Sequence, residues 1–136
     1  MADPLDSLAQ YVAVDLAIGA LGTVTFQDNM PDAAAGTYDT AVLLVDTGGP
    51  APALTWGDDT DYPTFQIVSR SLSADTAKTN LQTIFQGIHG LHETSLHGTY
   101  FKLIAAVGGL IFLGRDVKQR YVYTQSFRSM VRGVSR

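Results

Sequence analysis

The chain contains no cysteine, which excludes disulfide bonds, thiol nucleophiles and thiolate metal ligands. At 136 residues it is predicted to form a single domain over residues 1–136, large enough to fold without cross-links. No apolar run reaches the roughly 18 residues that a membrane-spanning helix requires. The first Lys or Arg is Arg70, so the basic start of a signal peptide is missing. We therefore expect no membrane partner and no export signal.

Positive charge is missing from the first half of the chain. Residues 1–69 contain ten Asp and no Lys, Arg or Glu, a charge of −10, and residues 70–136 carry +6, for a net charge of −4. Nucleic-acid-binding domains are usually basic overall, so this balance argues against that function. The division has no meaning in a fold that mixes both halves. Alternatively, acidic and basic faces meet between identical subunits in a head-to-tail ring.

Hydrophobic periodicity predicts two helices. The first runs over residues 3–21, with Asp3 as the N-cap and Pro4 at the first helical position. The second runs over residues 74–88, with Ser73 as the N-cap and Gly90 as the stop. Its apolar residues recur every 3.6 positions and should face the core. They are Ala74, Ala77, Leu81, Ile84, Phe85 and Ile88.

Alternating or continuous apolar segments predict strands between and after these helices. They cover residues 23–27, 41–45, 64–72, 100–107 and 119–132, with a further short apolar run at 110–113. Residues 28–40 and 47–63 are rich in Gly, Pro and Asp and are predicted to be long surface loops. The order of helix, strands, helix and strands predicts an α+β fold, in which both helices pack on one face of a mainly antiparallel sheet.

Two short segments resemble the signatures of retroviral-type aspartic proteases. They are Asp46-Thr47-Gly48 and the run from Leu110 to Asp116, LIFLGRD. Such an enzyme needs two aspartates that share a proton, so this chain would have to form a dimer. However, residues 4–21 have a helical pattern and residues 119–132 a strand pattern, where those proteases have a strand and a helix. A dimeric protease is therefore the alternative function, and otherwise Asp46 bonds local backbone after a buried strand.

No other cluster predicts catalysis or metal binding. The segment HGLHETSLH, residues 89–97, lacks the H-E-x-x-H spacing of zinc hydrolases and should be a polar linker. Gly108-Gly109 is too short to hold a phosphate group, and no Ser lies in a G-x-S-x-G turn. We predict a protein that is not an enzyme, with no cofactor and no metal.

Two longer stretches together resemble the tail terminator (minor capsid, tail completion) proteins of long-tailed bacteriophages. Residues 63–90 have an extended segment with Gln66 and Arg70, a short turn and an amphipathic helix. Residues 113–131 have an apolar-Gly-basic-Asp turn, a basic-aromatic step at Arg120-Tyr121 and a strand with an aromatic residue. The family also begins with a helix, as residues 3–21 are predicted to do.

The resemblance implies a structural virion protein at the neck of the particle, assembled in the host cytoplasm. A hexameric ring would cap the completed tail tube and present a surface to the connector of the head. Its partners would be further copies of itself, the major tail tube protein and the head completion protein, and genome DNA would pass through the lumen without specific binding. The stretches are also compatible with another neck protein that connects head and tail.

Charge suggests which residues lie between neighbouring subunits. We expect an acidic loop of one subunit to approach a basic turn of the next, both exposed in the monomer. The candidate residues are Asp58, Asp59 and Asp61 in the loop and Arg115, Lys118 and Arg120 in the turn.

Overall fold

The computed structural model describes residues 4–19, 21, 24–27, 40–48, 60–116 and 119–132. In this part of the chain two helices, one of which continues into a π-helical turn, accompany eight strands. The helices are α1 (Pro4–Gln10, followed by the π turn Tyr11–Asp15) and α2 (Ala74–Ile88). The strands are β1 (Thr25–Gln27), β2 (Ala41–Gly48), β3 (Thr60–Asp61), β4 (Thr64–Ser71), β5 (His92–Leu96), β6 (Thr99–Ala106), β7 (Ile111–Arg115) and β8 (Tyr121–Arg132).

All eight strands belong to one sheet. Its main path runs in the order β1-β2-β4-β8-β6-β5, while β3 and β7 also pair with β8. Every pairing between these strands is antiparallel except that of β1 with β2. The predicted α+β class with a mainly antiparallel sheet is confirmed.

Strand β8 lies at the centre of the pairing, since two shorter strands pair in succession along each of its sides. On one side, β4 pairs with its first eight residues and β3 with its last two. On the other side, β6 pairs with residues 127–131 and β7 with residues 121–124. Between β6 and β7, Val107 N–H donates to Ser126 O (2.9 Å), and Gln125 Nε2 donates to Gly108 O (2.9 Å). The predicted final strand is confirmed, with β7 placed along its beginning.

Both helices lie on one face of this sheet, as predicted. They share a core in which Leu8 and Val12 from the first helical segment join Leu81 and Ile84 from α2. The sheet contributes inward-facing residues, of which Ile67, Phe101, Ile104, Phe127 and Val131 are 3% exposed or less. The helical segments also touch directly, since Tyr11 Oη donates to Gly87 O (3.2 Å). A Cβ at Gly87 would lie 2.4 Å from Leu16 Cδ2, so the absence of a side chain allows this approach.

The first helix is shorter than predicted. Leu16 N–H donates to Tyr11 O (3.0 Å), a π-type bond that widens the last turn, and Ala17 has φ +55°. The α-helix therefore ends at Gln10 and its π-helical continuation at Asp15, instead of at residue 21. Leu16 and Ile18 beyond this point are apolar because they pack against the core, and this apolar pattern suggested further helix. The segment that carries them is irregular. Asp3, the predicted N-cap, lies outside the described residues. Neither helix in the described part of the chain is long and apolar enough to cross a membrane.

Helix α2 follows the prediction closely. Ser73 Oγ accepts from Thr76 N–H (3.3 Å), which caps the first turn, and Gly90 has φ +84° just beyond the last turn. Leu81, Ile84 and Ile88 are fully buried. Phe85 is only half-buried, at the margin of the core, where its ring stacks on His89 with a centroid distance of 4.7 Å.

The predicted polar linker at residues 89–97 was wrong, because it contains β5. This strand pairs with β6 through a two-residue turn at His97 and Gly98, whose φ angles are +46° and +94°. Positive φ at both central residues is typical of the tightest hairpins. Strand β5 lies at the edge of the sheet and is largely exposed. Its polar sequence therefore lacks the apolar alternation that indicates a strand.

The loop predicted at residues 47–63 is shorter than its sequence suggests. Thr47 and Gly48 continue β2, and Thr60 and Asp61 form β3. Most of the loop at 28–40 and residues 49–59 lie outside the described residues. The strand predicted at 23–27 is confirmed as β1.

Candidate subunit interface

Strand β7 exposes three consecutive apolar side chains. Ile111, Phe112 and Leu113 are 56%, 52% and 57% exposed, and Val107 nearby is 63% exposed. Among the described strands, β7 pairs only with β8. An exposed apolar patch beside an unpaired strand edge is typical of a surface that another chain covers. We call Val107 and Ile111–Leu113 the β7 patch.

An aromatic cluster supports one side of this patch. The Phe112 ring lies 5.0 Å from that of Tyr123 and 6.3 Å from that of Tyr121, between centroids. The guanidinium carbon of Arg115 lies 4.8 Å from the centre of the Tyr121 ring. Arg115 is exposed, so its charge stays available at the end of the patch. These side-chain contacts hold β7 against β8.

The turn after β7 is built around Asp116 and Arg120. One carboxylate oxygen of Asp116 accepts from Arg120 backbone N–H (3.0 Å) and the other from Arg120 Nε (2.8 Å). The Arg120 side chain is only 2% exposed, whereas that of Asp116 is 26% exposed. Asp116 therefore holds both the backbone of the turn and a buried cation.

The structure describes three of the six residues predicted at the interface. Arg115 is exposed and Arg120 is buried in its own chain. Asp61 pairs with Val131 through the backbone of β3, and Asp58, Asp59 and Lys118 lie outside the described residues. The interface role of the set stays a prediction. Within the set, Arg115 is the exposed cation among the described residues.

A pocket of about 360 Å³ lies at the other end of β8. It is formed where Thr64 pairs with Arg128 and where Leu103 pairs with Met130. Thr64, Arg128 and Met130 alternate with Phe65, Phe127 and Val131, which face the helices, so these three pocket residues lie on the opposite face of the sheet. Its lining comprises Tyr62, Thr64, Leu103, Arg128, Ser129 and Met130.

The segment that resembles a protease loop ends strand β2. Asp46 pairs with Phe65 and Gly48 with Thr64, so Thr47 is an extra residue in the ladder, and its Oγ1 lies 2.8 Å from Thr64 Oγ1. Asp46 itself is exposed. Strand β8, and not a helix, follows Gly114-Arg115-Asp116. The arrangement therefore favours a strand-end role for Asp46.

Replacing Asp46 by Asn should leave folding and assembly unchanged. An exposed substitution of this kind usually changes the free energy of unfolding by less than about 0.5 kcal/mol. Thermal unfolding and native mass measurement of the two proteins would test this. A peptidase activity that pepstatin inhibits, present in the parent and lost in Asp46→Asn, would contradict it.

The histidines of the β5 hairpin serve local structure. His89 Nδ1 accepts from Ala106 N–H (2.9 Å), and His97 Nε2 lies 3.4 Å from Asp15 Oδ2. Within the described ranges no three His, Cys, Asp or Glu residues are grouped so that they could hold a metal ion.

Most of the chain matches one known protein family. The model of the bacteriophage tail terminator protein family matches residues 14–130. The chain belongs to this family. The match includes α2, the β7 patch, the Asp116 turn and nearly all of β8, which confirms the resemblance seen in the sequence.

A solved structure shares the fold of this family member. A chain from the structure "Virion of native gene transfer agent (GTA) particle" superposes with a TM-score of 0.59 at 18% sequence identity. The superposition covers 97% of the present chain and 87% of the other chain. A search of curated proteins finds no match. Family and fold together make this chain a structural protein of a phage tail.

Sequence reasoning missed both apolar surfaces of this tail protein. The sequence shows the apolar run at 110–113, but four apolar residues in succession carry no period that distinguishes a buried strand from an exposed one. The pocket combines residues from β4, β6 and β8, together with Tyr62. Their proximity depends on strand register, which the sequence does not reveal.

Proposed function

We propose that this chain terminates the phage tail. Six copies form a ring that caps the completed tail tube and presents its other surface to the head connector. The family match over residues 14–130 carries this proposal. The exposed β7 patch supports it, since a ring subunit must keep apolar surface for its neighbours. The subunits act by binding and stacking, and no residue is assigned a catalytic role.

The proposed partners follow from that position. The ring contacts the major tail tube protein on one side and the head completion protein on the other, at the neck of the virion. Genome DNA passes through the lumen, and the net charge of −4 suits a channel that does not hold DNA specifically.

Assembly with tail tubes tests the function. The purified chain, added to polymerising tail tube protein of the same particle, should stop tube growth and appear as a ring at one end in electron micrographs. Native mass measurement should show the exchange of monomers and hexamers. If the chain binds the head connector but leaves tube length unchanged, it is a different neck protein.

Charge reversal tests the proposed contact between subunits. Arg115→Glu should shift the ring toward monomers, because Arg115 would face Asp58, Asp59 or Asp61 of the next subunit. Each exposed pair contributes at most about 1 kcal/mol, but a closed ring repeats the contact. Adding Asp59→Lys should partly restore assembly, and raised salt should weaken the parent ring. Sedimentation at matched concentrations would measure both effects.

The double variant separates pairing from misfolding. A chain that Arg115→Glu had unfolded would not be rescued by a second substitution elsewhere. If the double variant assembles no better than Arg115→Glu alone, the two regions are not paired, and the charge division reflects only sequence order.

A further inference from the structure

We propose that the β7 patch of one subunit inserts into the pocket at the far end of β8 in the next subunit. The inference rests on the proposed ring and names the surfaces that form it. The occupant of the pocket is thus a second copy of this chain. Both surfaces belong to described residues, and nothing in the family match assigns a role to either.

The two surfaces match in chemistry. The patch presents aliphatic side chains and one aromatic ring, each more than half exposed. The pocket offers Leu103, Met130 and the ring of Tyr62 within about 360 Å³. A whole aromatic side chain buries about 150–250 Å². Half-exposed Phe112 therefore offers on the order of 100 Å². Ile111 pairs with Thr124 and Phe112 with Tyr123, so these two side chains lie on opposite faces of β7. Ile111 lies on the face that also carries Arg128 and Met130 and would enter the pocket, while Phe112 would cover the strand from the other side.

Strand β7 is too far from the pocket of its own chain to fill it. Strand β7 is hydrogen-bonded to residues 121–124 of β8, whereas the pocket is formed beside Arg128 and Met130. Thr124, the paired residue nearest to the pocket, lies four residues from Arg128, a distance of about 13 Å along the strand. Contact between two different surfaces of identical chains is head-to-tail, and this type of contact generates rings when the rotation closes.

Opposite charges lie beside the two surfaces at Arg115 and Asp61, and Arg128 lines the pocket itself. Arg115 is exposed at the end of the patch. At the pocket, Tyr62 directly follows Asp61, whose backbone pairs with Val131 in β3. Insertion of the patch would bring the basic turn close to the acidic strand of the neighbour. The apolar contact would supply affinity, and the charges would orient the two subunits.

Cysteine cross-linking gives a direct test because the natural chain contains no cysteine. A variant with Leu113→Cys and Met130→Cys, treated with a short bis-maleimide, should give a ladder of bands that stops at the hexamer. Leu113→Cys alone should give almost no dimer. The control pairs Val14→Cys with Met130→Cys, since Val14 is 66% exposed but lies outside the patch, and it should give no ladder.

Leu113→Lys supplies an independent measurement. It should weaken association between subunits by about tenfold to a hundredfold, as expected from losing a buried leucine. Val14→Lys should leave association unchanged. Because Leu113 is 57% exposed in the monomer, the melting temperature of dilute Leu113→Lys should match that of the parent.

The remaining outcomes each overturn the inference in a recognisable way. Strong dimers from Leu113→Cys alone would show a symmetric contact between two patches. A hexamer without the ladder would place the ring contact elsewhere and leave the proposed function intact. If Leu113→Cys resists maleimide only when the chain is bound to tail tubes or connectors, a partner other than a second copy of this chain covers the patch. A chain that neither forms a ring nor stops tube growth would contradict the proposed function itself.

Discussion

Phe127→Ala should lower the free energy of unfolding by about 3–5 kcal/mol, the usual cost of truncating a buried phenylalanine. Phe127 is fully buried in the middle of β8 and stacks on Phe65, with ring centroids 5.3 Å apart. It also pairs with Phe65 on one side and Ala106 on the other, so the cavity would open at the centre of the sheet. Because a domain is typically stable by about 5–15 kcal/mol, much of the protein should become insoluble. Chemical denaturation of the soluble fraction would measure the loss.

Phe112→Ala is the matched control for this prediction. The same substitution at a side chain that is 52% exposed removes ring contacts with Tyr121 and Tyr123 but opens no internal cavity. It should cost about 1 kcal/mol of folding stability, the scale of an aromatic pair. Its main effect should be on assembly. Equal losses of stability in the two variants would mean that the core is not centred on β8.

The sequence predicted the parts of the fold that have a strong local pattern. Helix α2 has a capping residue, an apolar stripe and a glycine stop, and all three occur where expected. The final strand has period-two alternation, and Phe127 and Val131 do face the core. These features are local, since each depends on residues within a few positions of one another.

The errors have different physical causes. Strand β5 was missed because an edge strand faces solvent and needs no apolar alternation, while its turn uses His97 with positive φ in place of the usual Asn or Asp. Helix α1 was extended too far because Leu16 and Ile18 pack against the core from an irregular segment. In both cases tertiary contacts decided the conformation.

The candidate interface was only partly visible in the sequence. The sequence indicates a basic turn around Arg115, but it gives no sign that Arg120 in the same turn is buried. An arginine usually lies at the surface, and the carboxylate of Asp116, 2.8 Å from Arg120 Nε, helps to offset the cost of this burial. The β7 patch and the pocket depend on which strands meet, so they required the structure.

Asp116→Ala should destabilise the chain by about 3 kcal/mol, the lower end of the range for breaking a buried ion pair. The substitution removes the carboxylate that faces Arg120 Nε at 2.8 Å and leaves the guanidinium, 2% exposed, without that counter-charge. It also removes the acceptor of Arg120 backbone N–H, which shapes the turn. The lower end applies because Asp116 is 26% exposed and water can partly replace it. Denaturant unfolding at pH 7 would measure the effect.

Two further variants separate the charge of Asp116 from its role in the turn. Asp116→Asn keeps an oxygen for the backbone N–H of Arg120 but cannot neutralise the guanidinium, so its loss of stability should lie between those of the parent and Asp116→Ala. Arg120→Met combined with Asp116→Ala should cost less than the sum of the two single changes, by at least about 1 kcal/mol, because contacting residues couple. Additive costs would show that the ion pair contributes nothing and that Asp116 acts only on the backbone. The turn after Arg115 would then be held by the hydrogen bonds of the Arg120 backbone with Asp116.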